Sequence, residues 1–129
     1  MTYRFLSVEA VVALHAVLIE ETGGSHGLRD VGLLESAVAR ARNCVSYNPE
    51  ATLADVAASL SWGLIRNQAF VDGNKRIGLA AMVVFLKAHG YVLRCSAPEE
   101  TTMVLCAASS QIAEDEWTDW VGRNVAPEG

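Results

Sequence analysis

Ten consecutive residues, Ile77 to Leu86, carry no charge. Read as a helix, they are apolar around the whole circumference and not along one stripe. Such a helix is stable only when other elements surround it, so it belongs in the middle of the fold. Directly before it stands a run of opposite character, Asp72-Gly73-Asn74-Lys75-Arg76. The helix, from about Asn74 to Ala88 with Gly90 closing it, therefore carries its charged first turn to the place where core meets solvent. The pattern predicts an all-α bundle around a central buried helix whose amino end is functional.

The rest of the chain supplies the surrounding helices. Ser7 is a natural N-cap for "VEAVVALHAVLIEET", which stops at Gly23-Gly24. Asp30 can cap "VGLLESAVARARN", with Arg40 and Arg42 in its last turn, where cations complement the helix dipole. "CVSYNPEA" breaks that pattern at Asn48-Pro49. Thr52 and Asp55 resemble a capping box and open a third helix through about Ile65. Beyond the central helix, "YVLR" reads as a short extended link. Pro98 with Glu99-Glu100 starts a fifth helix to about Ile112, and "DEWTDWVGRNV" gives a short sixth before a polar tail. Trp117 and Trp120 read as packing for that last helix.

A length of 129 residues fits one domain and allows roughly two-thirds of the unfolded surface to be buried without staples. The apolar fraction of 51% and mean hydropathy of +0.22 suit a filled core. A net charge of −5 argues against duplex nucleic acid as the main partner, which needs a broad basic surface. A small basic cluster in an acidic chain points instead to one focused anion, such as a nucleotide. Cys44, Cys95 and Cys106 are odd in number and widely spaced, so neither a disulfide framework nor a zinc site is expected. The first residues, "MTYRFLSVEA", show no export signal, and no stretch reads as a membrane span, which makes the cytoplasm the expected location.

The charged run has the makings of an anion site. A helix amino terminus presents unpaired N–H groups and a partial positive charge. Gly73 lets a phosphate approach the backbone, Asn74 can donate from its amide, Lys75 adds a point charge and Arg76 a bidentate fork. Asp72 fits either as a capping residue or as a ligand to Mg²⁺ carried by the phosphates. Phe70 would anchor the loop in the core. From the residues alone, a capped helix with a solvated start explains the same run. Where a proton acceptor would serve, two residues before Phe70, stands Gln68. His15, His26 and His89 read as ordinary, partly exposed histidines, and His89 is roughly 20 Å away along the central helix.

"QAFVDGNKR", Gln68 to Arg76, resembles the motif of the Fic/Doc superfamily, HxFx(D/E/N)(G/A)N(G/K)R, and matches every defined position except the first. Lys75 stands where Fic adenylyltransferases typically have glycine, which favours the Doc (death on curing) toxins. "GLRDVGLLESAVARAR" and "NKRIGLAAMVVFLKAHGY" resemble further Doc-like blocks, so the likeness runs from about Phe5 to Tyr91.

The resemblance implies a Fic-fold helical bundle, one Fic/Doc domain over residues 1–129. It implies a toxin of a toxin–antitoxin pair that moves the γ-phosphate of ATP to a threonine of elongation factor Tu and stops translation. Asp72 would hold Mg²⁺; Gly73, Asn74, Lys75 and Arg76 would bind the phosphates; Asn43 to Ala51 would form a substrate flap. A Phd-like antitoxin would lay a helix into an apolar groove. The family's histidine would orient the nucleophile and take its proton, and Gln68 in that place implies an inactive or strongly impaired enzyme. A non-catalytic binding module and a Fic-type adenylyltransferase are the competing readings.

Overall fold

The computed structural model describes residues 2–129. The chain forms a helical bundle in the order α1 (Val8–Thr22), α2 (Val31–Tyr47), α3 (Leu53–Asn67), α4 (Asn74–Ala88), β1 (Tyr91–Leu93), α5 (Ala97–Ala108), α6 (Glu114–Asn124) and β2 (Val125–Pro127). The expected all-α bundle is what forms. Among the described residues, no helix is long and apolar enough to cross a membrane.

The caps read from sequence act as caps. The hydroxyls of Ser7 and Thr52 accept from the amides of Ala10 and Asp55, and the Asp30 carboxylate accepts from Leu33. The Asp55 carboxylate in turn accepts from the Thr52 amide, completing the capping box. A further cap, Ser96 on the amide of Glu99, starts α5.

Two boundaries differ from expectation. Helix α2 continues to Tyr47, so Arg40 and Arg42 lie inside it and not in its last turn. Residues Asn43 to Tyr47 are consequently helical, and the irregular stretch expected from Asn43 to Ala51 shrinks to the short turn after Tyr47. The physical reason is continued packing, since Cys44 and Val45 rest on the core and outweigh the modest helix propensity of "CVSY". Helix α5 ends at Ala108, short of Ile112.

The core also distributes its burial unexpectedly. Helix α4 buries Ile77, Gly78, Ala81, Met82, Phe85 and Leu86, whereas Val83 and Val84 remain 38% and 40% exposed. Its circumference is therefore not closed. Helix α3 is the more enclosed of the two, with Leu53, Val56, Ala57, Ala58, Leu60, Ser61, Gly63, Leu64 and Ile65 all buried, and it packs against α2, α4, α5 and α6. Small residues let helices approach α3 from several sides. Between α3 and α4 the packing is tight at Gly78, where a Cβ would strike Ile65 and lie 3.2 Å from the Ser61 carbonyl oxygen.

The tail is less irregular than its polarity suggests. Strand β2 pairs antiparallel with β1, setting Tyr91 opposite Pro127, Val92 opposite Ala126 and Leu93 opposite Val125. Trp117 and Trp120 are buried with ring centroids 5.2 Å apart, the packing role expected of them.

Candidate functional site

The site is the loop between α3 and α4. Helix α3 ends because Gln68 takes a left-handed conformation, φ 52° and ψ 50°. Such a backbone is unfavourable for a residue other than glycine and needs support. Arg29 provides it, donating from Nε (3.1 Å) and Nη2 (2.5 Å) to the Gln68 carbonyl. The next carbonyl, of Ala69, accepts from the amides of Arg29 (2.8 Å) and Asp30 (3.0 Å), and the Val71 amide donates to Gly27 (3.0 Å). Leu28 and Phe70 form the antiparallel bridge between the two segments.

Phe70 is the expected anchor. It is 2% exposed and stacks on the His15 ring, with centroids 3.8 Å apart and planes 11° from parallel. Asn74 closes the loop from the other side, accepting from the Phe70 amide and donating to the Phe70 carbonyl, both at 3.0 Å. Its side-chain amide is thus engaged in holding the loop, which leaves the backbone N–H as the group Asn74 offers to an anion.

Gly73 is the N-cap of α4, at φ 77°, and no side chain caps this helix. The amides of Asn74, Lys75 and Arg76 have no partner among the described residues, while Ile77 is the first to bond back, to the Gly73 carbonyl at 2.9 Å. These are the orphan donors of a helix start, aimed outward with the dipole behind them. They open on a cavity of about 150 Å³ lined by Ile65, Gln68, Val71, Asp72, Gly73, Asn74, Lys75 and Ala108.

Asp72 does not cap α4. Its Oδ1 accepts from the Gly73 amide (2.8 Å) and its Oδ2 from the Ser25 amide (3.1 Å). These two bonds, followed by the nearby charge of Arg76, hold its carboxyl below the usual value of 3.8, so it is ionised at neutral pH. Arg76 lies 3.5 Å from Asp72 Oδ1 and turns Nη1 back onto the hydroxyl of Thr22 and the Gly23 carbonyl (2.7 Å).

One ionised carboxylate with free lone pairs, beside unpaired amides and Lys75, suits Mg²⁺ that arrives on phosphates, because that ion commonly keeps only one or two protein carboxylates. No cluster of three or more acidic, His or Cys side chains that could hold a metal occurs among the described residues.

Of the six residues singled out from sequence, Gln68 and Asp72 to Lys75 come together at one mouth, whereas the Arg76 side chain does not line it, being turned onto Thr22 and Gly23 beside Asp72. Gln68 is exposed and lines the cavity. His26 and His89 stay outside, His26 paired with Glu20 at 2.7 Å and His89 accepting from the Arg4 amide at 2.9 Å. His15 requires a correction. It is 3% exposed, not partly open, and its Nε2 donates to the Asp72 carbonyl at 2.7 Å. The signal was its spacing, since Val11, His15 and Ile19 recur four apart as the buried stripe of α1. Arg29 gave no comparable sign outside the "GLRD" stretch.

Known proteins resemble this chain in sequence. The chain is 31% identical over 120 residues to a protein kinase Doc of Escherichia phage P1, an alignment covering 93% of this chain and 94% of that one. It is 48% identical over 73 residues to a toxin Doc of Mycolicibacterium smegmatis, 55% of each chain. The model of the Fic/DOC family matches residues 5–86, from before α1 to within α4, and so takes in the whole loop together with His15 and Arg29. With a family match over well over half its length and a relative alike along nearly all of it, the chain belongs to the Fic/DOC family.

Proposed function

We propose that this protein is a Doc-type toxin whose loop binds ATP with Mg²⁺ and whose phosphotransferase chemistry is blocked at Gln68. The observation that carries this is the amino end of α4: a helix start with no side-chain cap, three free amides, an ionised carboxylate and Lys75 around one polar cavity, with Arg76 beside the carboxylate. Relatives named as a toxin and a protein kinase supply the reaction class.

In that reaction a threonine hydroxyl, by family resemblance on elongation factor Tu, attacks the γ-phosphorus. The new O–P bond forms as the bond to the β,γ-bridging oxygen breaks, ADP leaves, and the hydroxyl proton passes to a base. The amides of Asn74, Lys75 and Arg76 stabilise phosphate charge, and the Lys75 and Arg76 side chains stand beside them. Mg²⁺ held at Asp72 would neutralise further charge on the phosphates. Gln68 can hydrogen-bond the hydroxyl but cannot take its proton near neutral pH, which costs about 10²- to 10⁴-fold in rate.

The second partner is a small Phd-like antitoxin. An apolar trough of about 360 Å³ runs along the open side of α4, with Leu18, Leu79, Ala80, Val83 and Val84 on its walls and Arg76 and Glu100 at its edges. An amphipathic helix is the usual occupant of such a groove.

The deciding experiment restores the base. Gln68 is exposed, so Gln68→His leaves packing untouched. Purified Gln68→His protein should move label from the γ-phosphate of ATP to elongation factor Tu at least about a hundredfold faster than the unaltered chain. Transfer of α-phosphate label instead would identify an adenylyltransferase. If both proteins bind ATP yet stay equally inert, the non-catalytic binding module replaces this reading.

A further inference from the structure

His15 supplies two things at once beneath the loop. Its face stacks on Phe70, and its edge, through Nε2, meets the Asp72 carbonyl oxygen at 2.7 Å. That oxygen carries no hydrogen, so Nε2 must, which fixes the tautomer of the neutral ring. The bonded carbonyl belongs to the peptide that leads into Gly73, where the chain turns left-handed at φ 77°. A Cβ at Gly73 would lie 3.4 Å from His15 Nε2 and 3.2 Å from Ile19 Cδ1, so these two side chains form the floor on which the turn rests.

Rotating the Asp72–Gly73 peptide would swing the first amides of α4 away from the cavity. Only the His15 side chain bonds the Asp72 carbonyl among the described residues. A leucine at this place would fill the space and a phenylalanine would keep the stack, but neither could hold that oxygen.

We propose that His15 is the positioning residue of the anion site: by holding the Asp72 carbonyl it fixes the turn at Gly73 and aims the amides of Asn74, Lys75 and Arg76 at a bound phosphate. The proposal rests on the phosphate-binding reading of that cavity. His15 touches no phosphate itself and acts through the backbone.

Two variants separate this role from simple core packing. His15→Phe keeps an aromatic face and loses the donor. His15→Gln loses the stack and keeps an N–H at nearly the reach of Nε2. Three quantities are measured on each: melting temperature, affinity for MgATP and for tripolyphosphate by calorimetry, and hydrogen exchange at the Gly73 and Asn74 amides.

The expected result is a crossing. His15→Phe should melt near the unaltered protein but bind both ligands about three- to tenfold more weakly, the worth of one hydrogen bond, with faster exchange at Gly73 and Asn74. His15→Gln should melt lower yet bind more tightly than His15→Phe. Affinity that follows melting temperature in both variants, or unaltered binding and exchange in His15→Phe, overturns the proposal. If the unaltered protein binds neither ligand, the phosphate reading itself has failed, and the exchange data alone report whether His15 holds the turn.

Discussion

At Asp72 one carboxylate meets two backbone amides and an arginine, and its ionisation depends on them. Because its folded value lies below that of the unfolded chain, its contribution is complete above about pH 4 and disappears as pH falls through the lowered folded value. Asp72→Asn should therefore melt below the unaltered protein at pH 5, and the gap should narrow as pH approaches 2. Melting curves across that range check it; a gap of constant width would show that the Ser25 and Gly73 bonds do not discriminate between the charged and neutral forms. Asp72 and its neighbours were legible in the sequence because they are contiguous and their chemistry is unusual beside an uncharged helix. His15 and Arg29 were not. They act through carbonyls 57 and 39 positions away, and a side chain that bonds backbone leaves no complementary residue type to find. A histidine on an apolar stripe signals burial, but the partner it is buried against comes only with the fold.

Among the elements, helix existence followed from periodicity and caps, and helix length did not always do so. Helix α2 outran its sequence signal because Cys44 and Val45 find core to pack on, a tertiary gain invisible in local propensity. The β1–β2 ribbon was missed on its C-terminal side because three residues of "VAP" have too short a pattern to register as a strand. The contact between α3 and α4 was equally hidden, since it depends on what is absent at Gly78. Replacing this glycine by alanine sets two effects against each other. Helix propensity favours alanine by about 1 kcal/mol, whereas forcing a methyl into a filled interface costs about 1–3 kcal/mol. With both the Ile65 side chain and the rigid Ser61 carbonyl in the way, the second should win. Gly78→Ala should thus lose up to about 2 kcal/mol in urea unfolding, the overpacking cost less the propensity gain. A more stable variant would mean that α3 and α4 can move apart at little cost.

For the molecule as a whole, the open side of α4 matters most. The uncharged run from Ile77 to Leu86 predicted a helix enclosed on every side, and the fold encloses all but Leu79, Ala80, Val83 and Val84. The expectation of full enclosure fails on that strip, which has no cover among the described residues. On the proposed function the cover is the antitoxin. Co-expression with its small partner should give a stable complex of raised melting temperature. Val84→Asp, at a position already 40% exposed, should leave the toxin folded while abolishing copurification. A Val84→Asp protein that still copurifies moves the partner to another face. The same strip governs how free molecules behave toward one another in solution. At neutral pH a charge of −5 holds them apart, but salt screens that repulsion and acidification toward the isoelectric point near 5.1 removes it. The attraction between bare strips survives both changes. The uncovered protein is therefore a colloid with a narrow range of comfort, least soluble in salty, mildly acidic buffer, and a chaperoning partner widens that range by hiding the sticky face without altering the charge of the rest.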